Sequence, residues 1–295
     1  EVIFITGVDE HGLKIQRKAN EKGIEPKAHC DEISKIFIDN WKNWDISFDR
    51  FIRTSSKSHE FVVKEFFDRV NNSDDIYMGV QKGWYCVGCE EFKDNPENSP
   101  TYKCPIHQKS LEWKNEENLF FRLSKYQEQI EKIIKDPSFI EPTERRNEIT
   151  NFVSRGLKDF SISRTNVSWG IPVPGHDKHT FYVWFDALLG YVSAITSNGT
   201  VQSLKTSING GWPANIHLIG KDILRFHAVY WPAMLISAGM NVPKKVLGHG
   251  FLTREGKKMG KSLGNVLDPD ILLSKYGNDP VRWFLIKDIT LGREI

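Results

Sequence analysis

Two stretches of the sequence share one pattern, a short apolar run that ends at a glycine and is followed by charged residues and an amphipathic segment. The first is EVIFITGVDEHG at residues 1–12, where Val2 to Ile5 predict a buried strand. The second is NIHLIGKDILRF from residue 215, where Ile216 to Ile219 predict a strand and the following helix ends near Gly239. Strands that alternate with helices build a parallel sheet covered by helices, so this pattern predicts an α/β fold.

A cysteine-rich segment of different texture separates these two units. CVGC at residues 86–89 and CPIH at residues 104–107 are separated by fourteen residues. Two such turns can supply four ligands to one tetrahedral Zn²⁺, so the spacing predicts a closed, structural zinc site at Cys86, Cys89, Cys104 and His107. The alternative is a set of unrelated core cysteines and a surface histidine.

Composition excludes several classes of protein and leaves others open. The 295 residues include 40 lysines and arginines and 38 aspartates and glutamates, so any face that binds nucleic acid must be local. Four cysteines are too few and too unevenly placed for a disulfide framework, which favours a reducing compartment. No apolar run is long enough to span a membrane, and we expect a soluble, non-secreted protein. Apolar spacing predicts helices over residues 13–20, 30–44, 59–70 and 268–287.

Charged residues after the two predicted strands are candidates for a ligand site. Asp9, Glu10 and His11 follow the first strand, where open α/β sheets place ligand groups, although such a tripeptide is also typical of a helix N-cap. Gly220 and Asp222 follow the second, where backbone N–H groups and a carboxylate can face a ribose or a phosphate. The stretch YVWFDALLGYVSA at residues 182–194 could line an apolar pocket or belong to the core.

The stretch TREGKKMGKSLGN at residues 253–265 combines four cationic side chains with three glycines. It is too flexible in composition to form a good helix or strand. Glycines allow the backbone to approach an anion, and lysines supply mobile charges that suit an oligophosphate. The alternative is a solvated hairpin tip.

Together these motifs resemble those of the methionyl-tRNA synthetases, a family of class I aminoacyl-tRNA synthetases. KMGKSLGN at residues 258–265 is similar to the K-M-S-K-S loop of that class. The resemblance runs nearly end to end and also rests on the cysteine and histidine cluster and on the following stretches: FITGVDEHG, FSISR at 160–164, WGIPVP at 169–174, VWFDALLGY, and HLIGKDILRFHAVYWPAML. It is closest to bacterial-type members, including those of plant or algal organelles.

The resemblance implies a Rossmann-type parallel sheet that is interrupted by a zinc-binding connective peptide. The implied domains are a first catalytic part at 1–75, the connective peptide at 76–155, a second catalytic part at 156–252, and the lysine loop with the start of a stem-contact region at 253–295. The implied activity is that of a methionine–tRNA ligase, which uses ATP with Mg²⁺ and binds methionine and tRNA(Met). The compartment would be the cytoplasm, or the mitochondrial matrix or plastid stroma for an organellar enzyme.

The resemblance also assigns roles to individual residues. Asp9 matches the acid that receives the methionine ammonium group, and Arg164 matches an arginine near the reacting groups. Lys258 and Lys261 match the lysines that steady the triphosphate, and Gly220 and Asp222 match positions around the ATP ribose. The residues that match the surroundings of the methionine side chain are Trp184, Tyr191, Ile223 and His227.

Two departures from the family pattern qualify these expectations. Gly260 stands where the lysine loop has a serine, and the family's H-x-G-H motif does not occur in the 295 residues. We therefore expect a fragment of the enzyme, which would not carry out full aminoacylation alone. Two alternatives stay open: a non-enzymatic tRNA-binding protein with the synthetase scaffold, and a sister class I synthetase for leucine, isoleucine, valine or cysteine. Against the sister enzymes stand the short connective peptide and the set of pocket residues. Oligomeric state is not predicted.

Overall fold

The computed structural model describes residues 2–93, 99, 101–106, 108–196, 204, 211–254, 257–259 and 264–288, with the backbone alone at 196, 254, 257, 258 and 288. The chain divides into two compact units. Unit 1 comprises Glu1–Asp39, Phe48–Arg122 and Asp159–Trp212, and unit 2 comprises Asn40–Ser47, Leu123–Lys158 and Pro213–Ile295. Each unit is described by itself.

The described residues form both helices and strands, as the α/β prediction requires. The helices are α1 Leu13–Lys22, α2 Pro26–Asn43, α3 Lys57–Asn72, α4 Gln127–Lys135, α5 Thr143–Val153, α6 Val183–Ala187, α7 Gly190–Thr196, α8 Trp231–Ser237, α9 Pro269–Tyr276 and α10 Asn278–Asp288. The strands are β1 Ile5–Val8, β2 Arg50–Arg53, β3 Ile76–Cys86, β4 Glu91–Lys93, β5 Glu112–Phe121, β6 Ile140–Glu141, β7 Phe160–Ser161, β8 Ser163–Arg164, β9 Thr180–Phe181, β10 His217–Gly220, β11 Val246–His249, β12 Thr253–Arg254 and β13 Lys257–Lys258. The helical stretches predicted from apolar spacing at 13–20, 30–44 and 59–70 are confirmed, and the stretch predicted at 268–287 is helical but is divided at Gly277 into α9 and α10.

In unit 1, strand β1 pairs in parallel with β2. The prediction that the strand covers Val2 to Ile5 is wrong, because pairing starts at Ile5 and the side chain of Val2 is 84% exposed. The preceding residue Phe4 is held instead by the loop before β2, since its N–H donates to the Asp49 carboxylate at 2.7 Å. The two strands approach so closely at Gly7 that a Cβ there would lie 2.3 Å from the Ile52 carbonyl oxygen.

A second sheet of unit 1 is antiparallel, with strand order β4-β3-β5-β7. Strands β3 and β5 pair along ten residues, from Ile76 opposite Phe121 to Tyr85 opposite Glu112. Strand β3 ends at Cys86, so this long hairpin places the start of the cysteine cluster at its tip. Helix α3 packs its apolar face into the core of the unit, where Phe66 contacts Phe185 with ring centroids 5.9 Å apart.

In unit 2, strands β10, β11 and β6 form a parallel sheet in that order. The predicted second strand is confirmed with a shift of one residue, and it is followed by a 3-10 turn at Lys221–Ile223, a π turn at Phe226–Tyr230 and helix α8. That helix ends before Gly239, which adopts φ +69°, as the sequence predicts. Among the described residues, no helix combines the length and the apolar composition needed to cross a membrane.

The lysine-rich stretch contains a short antiparallel hairpin, in which Thr253 pairs with Lys258 and Arg254 pairs with Lys257. The expectation that this stretch forms no strand is therefore wrong at residues 253–254 and 257–258. Each strand has only two residues, but one further hydrogen bond extends the pairing, since the Met259 N–H donates to the Leu252 carbonyl at 3.0 Å. Helix α9 begins at the predicted place, where the Asp268 side chain accepts the Asp270 N–H.

Candidate functional site

The end of strand β1 opens into a cavity of about 190 Å³ in unit 1. Asp9 and His11 reach it from the turn after the strand, and Trp184 reaches it from helix α6. The remaining lining residues are Lys14, Ile15, Gly88, Cys89, Glu90, Val183 and Ala187. The structure thus brings together the predicted residues Asp9 and Trp184, which are 175 positions apart in the sequence.

The Asp9 carboxylate is open to this cavity. Within the part of the chain that the structure describes, no hydrogen bond or ion pair reaches it. The surrounding protein limits its hydration and the nearby Asp186 carboxylate adds a second negative charge, which together raise the pKa of Asp9 to about 6. An acid in this state gains from a cationic ligand, which would restore the ionised form.

Beside Asp9 lies a buried network centred on Asp186. His11 Nδ1 donates to one oxygen of this carboxylate at 2.6 Å, and His59 Nε2 donates to the other at 2.7 Å. His59 Nδ1 in turn lies 2.6 Å from the Ser193 hydroxyl oxygen. Both carboxylate oxygens are therefore satisfied, which allows a charge to stay in the core of unit 1.

Within this network, the hydrogen-bonded partners shift the pKa values of His11 and Asp186 in the direction opposite to the effect of burial. Burial alone would lower the pKa of His11, but the Asp186 carboxylate outweighs it and raises that pKa above the usual value. Burial would likewise raise the pKa of Asp186, but its two histidine partners lower it. His11 also contacts the Trp169 ring edge-on, with centroids 5.4 Å apart. The network therefore holds His11 in place next to the cavity.

Glu10 points away from the cavity and has a structural role. Its carboxylate accepts hydrogen bonds from Arg53 Nε at 2.8 Å and from the Ser55 hydroxyl, and its backbone N–H donates to Thr54. The alternative interpretation of residues 9–11 as a helix N-cap is wrong, because Gly12 occupies the N-cap position of α1. Only two of the three charged residues in the turn therefore face the cavity.

Two further predicted residues of unit 1 surround this region. Burial, and then the charge of Asp9, raise the pKa of Tyr191 above its usual value, which indicates that the phenol and the carboxylate are close. Arg164 is buried, and its guanidinium lies 3.9 Å from the centre of the Tyr182 ring. Its Nη1 donates to the Ser161 hydroxyl and to the Ser163 carbonyl, both at 2.7 Å. Arg164 is thus held by aromatic and backbone contacts.

Three of the four predicted zinc ligands come together at the tip of the β3–β5 hairpin. The sulfur atoms of Cys86, Cys89 and Cys104 all lie within 4.8 Å of one another, and those of Cys89 and Cys104 are 3.7 Å apart. Sulfurs bound tetrahedrally about 2.3 Å from Zn²⁺ would be separated by about 3.8 Å, so the spacing fits the metal. Hydrogen bonds from Cys89 lower the pKa of Cys86, which favours the thiolate that binds metals. His107 lies outside the described residues.

The end of strand β10 in unit 2 holds the next group of predicted residues. Gly220 ends the strand, and a Cβ there would lie 2.7 Å from a carboxylate oxygen of Asp222. His227 is buried and its Nδ1 donates to the Ile223 carbonyl at 3.0 Å. Because burial withholds water from the imidazole, the pKa of His227 is lowered to about 4. This histidine is therefore neutral near pH 7.

The lysine loop is described only in part. The backbone of Lys258 belongs to strand β13, while Lys261 and the departure at Gly260 lie outside the described residues. Their roles stay predictions.

Sequence reasoning did not single out several residues that shape the cavity. His59 and Ser193 belong to the Asp186 network, and Glu90 lines the cavity next to the cysteine cluster. No short motif contains them together, because their contacts join positions far apart in the chain. For Glu90 the available signal was its position in CVGCE, where it directly follows the predicted metal ligand Cys89.

Comparison with known proteins reveals close relatives. A profile of the family described as "tRNA synthetases class I (M)" matches residues 1–109 and 93–295. The methionine–tRNA ligase of Nostoc sp. is 55% identical over the whole chain, which covers 56% of that protein. The chloroplastic/mitochondrial methionine–tRNA ligase of Arabidopsis thaliana is 54% identical over the whole chain, which covers 48% of it.

A solved structure is similar over the whole chain as well. The methionyl-tRNA synthetase of Mycobacterium tuberculosis in complex with methionyl-adenylate has a TM-score of 0.91 and 42% sequence identity. The match covers 100% of this chain and 58% of that one. The chain thus spans about half the length of the curated relatives that it matches.

Proposed function

Because this chain belongs to the family of class I tRNA synthetases designated (M), we propose that the protein it forms part of is a methionine–tRNA ligase. It activates methionine with ATP and transfers the methionyl group to tRNA(Met). The observation that carries this proposal is the Asp9 carboxylate, which faces a cavity together with the Trp184 ring and has no partner among the described residues. The names of the relatives from Nostoc sp. and Arabidopsis thaliana support it.

Asp9 binds the ammonium group of methionine. A cation next to this acid stabilises its ionised form, which offsets the effects that raise its pKa to about 6. Trp184 and Tyr191 contact the unbranched thioether side chain, since sulfur packs favourably against aromatic rings. We assign Ile223 and His227 to the binding of the methionine side chain from the family resemblance, and the neutral state of His227 suits an apolar ligand.

Gly220 and Asp222 bind the ribose of ATP, and Lys258 and Lys261 hold its phosphates. The methionine carboxylate attacks the α-phosphorus, the bond to the bridging oxygen breaks, and pyrophosphate leaves. A ribose hydroxyl of the tRNA then attacks the methionyl carbonyl and AMP leaves. Catalysis consists of placing the reactants and stabilising charge, to which Arg164 and the two lysines contribute. Mg²⁺ accompanies ATP and neutralises part of its charge.

The cysteine cluster with His107 holds a structural Zn²⁺. The bound metal supplies folding free energy to the hairpin tip. This contribution matters there because the tip has only a small buried cluster, formed by Cys86, Cys104 and Leu111. The proposed domain limits are 1–75, 76–155, 156–252 and 253–295, and the antiparallel β3–β5 hairpin supports a connective peptide beginning near residue 76. The proposed compartment is the cytoplasm or an organelle, and the name of the Arabidopsis relative supports the second.

Methionine-dependent exchange between ATP and pyrophosphate, measured on the full-length protein, tests this function. We expect exchange with methionine and none with leucine, isoleucine, valine or cysteine. Exchange with one of those amino acids instead would assign the chain to a sister activity. Binding of tRNA(Met) without any exchange would indicate a non-enzymatic tRNA-binding protein and would refute the proposal.

A further inference from the structure

Helix α1, which follows the turn that carries Asp9, begins without a capping side chain of its own. Gly12 occupies its N-cap position and its first turn contains no acid. The first N–H groups of a helix have no partners within it, and a carboxylate at that end is stabilised both by hydrogen bonding and by the helix dipole. This group comes from another segment: Glu90 accepts the Lys14 N–H at 2.8 Å.

Glu90 also forms hydrogen bonds with two other elements of unit 1. Its second carboxylate oxygen accepts the Tyr85 hydroxyl at 2.5 Å, and its backbone carbonyl accepts the hydroxyl of Tyr182. Tyr182 is the N-cap residue of α6, the helix that presents Trp184 to the cavity. One residue thus joins the start of α1, the end of β3 and the start of α6.

The contact with α1 requires a glycine opposite the carboxylate. Gly12 has φ +107°, and a Cβ at this position would lie 2.8 Å from a Glu90 carboxylate oxygen. The carboxylate therefore lies in the space that a side chain would occupy. Glu90 itself adopts a positive φ of 54°, an uncommon conformation for a residue with a side chain, so the backbone is held in a shape that directs this carboxylate towards α1.

We propose that Glu90 is a positioning residue for methionine binding. Its carboxylate fixes the start of α1 and, three residues earlier, the orientation of Asp9. Its backbone carbonyl holds α6, which presents Trp184 to the same cavity, and side-chain substitutions leave that second contact in place. This inference rests on the proposed function, since methionine is the ligand whose contacts depend on both Asp9 and Trp184. Because ATP is assigned to other residues, we expect substitution of Glu90 to weaken the binding of methionine and not that of ATP.

The test compares Glu90→Ala and Glu90→Gln in the full-length protein. A hydrogen bond to a charged group contributes about 1.5–3 kcal/mol, so we expect Glu90→Ala to raise the Kd and KM for methionine by about tenfold or more. Glu90→Gln keeps one acceptor oxygen and should raise them by about threefold. The KM for ATP should change by less than about twofold in both variants. Amide hydrogen exchange at Lys14 should become faster in the same order.

The matched control is Glu112→Ala. Glu112 also joins the β3–β5 hairpin to α1, through Arg17 at 2.5 and 2.9 Å, but this pair is exposed and involves the second turn of the helix, not its first N–H groups. Exposed pairs contribute little, so the methionine KM should stay within about twofold.

The proposal is overturned if methionine binds to Glu90→Gln and Glu90→Ala as it binds to the wild type. It is also overturned if the KM values for methionine and ATP rise together, because that indicates a general loss of structure. If Glu90→Ala does not fold, Glu90→Gln alone decides. Failure of the proposed function can be distinguished from failure of the Glu90 proposal, because in the first case the wild-type protein would bind no methionine.

Discussion

The two strand ends that share a sequence pattern differ in the direction in which they shift the pKa of their histidines. At the end of β1, the buried imidazole of His11 lies 2.6 Å from a carboxylate and has a raised pKa. After β10, the equally buried His227 lies 3.0 Å from a backbone carbonyl and has a pKa lowered to about 4. Burial is similar at both places, so the buried partner decides in which direction the pKa of the histidine shifts.

The difference separates a charged region from a neutral one. In unit 1, Asp186 supplies a negative charge whose oxygens both accept histidine hydrogen bonds, and Asp9 next to them is left to bind a cation. After β10, His217 and His227 lie with ring centroids 5.9 Å apart, and burial lowers the pKa of both. A pattern of strand, glycine and charged residue therefore predicts where a ligand group lies but not its ionisation.

The largest expected effect comes from removing the acid at the first strand end. Asp9→Asn keeps the shape of the side chain but removes the charge that pairs with the methionine ammonium, so the methionine KM should rise by about a hundredfold. Asp177→Asn, at an exposed acid of the same unit, is the control and should change the KM by less than about twofold. Pyrophosphate exchange at varied methionine concentration measures both. An Asp9→Asn enzyme with nearly normal KM would contradict the role of this carboxylate.

A smaller effect is expected from neutralising the centre of the network. Asp186→Asn leaves His11 and His59 without their carboxylate partner in a buried site, which should lower the free energy of unfolding by about 2 kcal/mol. Denaturant unfolding measures this change. Ser193→Ala, at the outer end of the network, should cost less, about 1 kcal/mol. Equal losses for both variants would show that the carboxylate is not the centre of the network.

The smallest effect is the dependence of methionine binding on pH. Binding requires ionised Asp9, whose pKa is raised to about 6, so affinity should be constant above about pH 7 and fall as pH decreases through 6. At pH 5 the loss should be about tenfold, because each pH unit below the pKa removes tenfold of the ionised form. His227, with a pKa of about 4, stays neutral over this range and adds no change.

Calorimetric titration of the full-length protein with methionine between pH 5 and pH 8 measures this profile. The residual binding of Asp9→Asn should show no fall through pH 6. A fall of the same size in that variant would assign the titration to another group, with His11 next to the cavity as the first candidate.

Local signals predicted much of the fold and part of the site. Apolar spacing located α1 and α3, and Gly220 marked the end of β10 with an error of one residue. The Cys-x2-Cys spacing predicted a cluster whose three described sulfurs lie within 4.8 Å of one another. These predictions succeeded because each depends on residues that are neighbours in the sequence.

Predictions that depend on distant partners failed or could not be made. Strand β1 begins later than its apolar run because β2, more than forty residues away, provides a partner only from Ile5 onwards. The cap of α1 comes from Glu90, 76 residues beyond Lys14, and the Asp186 network joins three further segments. Such contacts are determined by tertiary packing, which a single sequence does not reveal.

The glycine at the closest approach of β1 and β2 has a consequence for protein engineering. At Gly7 every side chain would collide with the backbone of Ile52, so a library that varies position 7 should return glycine alone. Gly23, by contrast, has open space and φ +68°, and the same library at that position should also return asparagine. Diversification intended to alter the ligand of the cavity therefore has to begin beyond Gly7, at side chains that the neighbouring strand does not exclude.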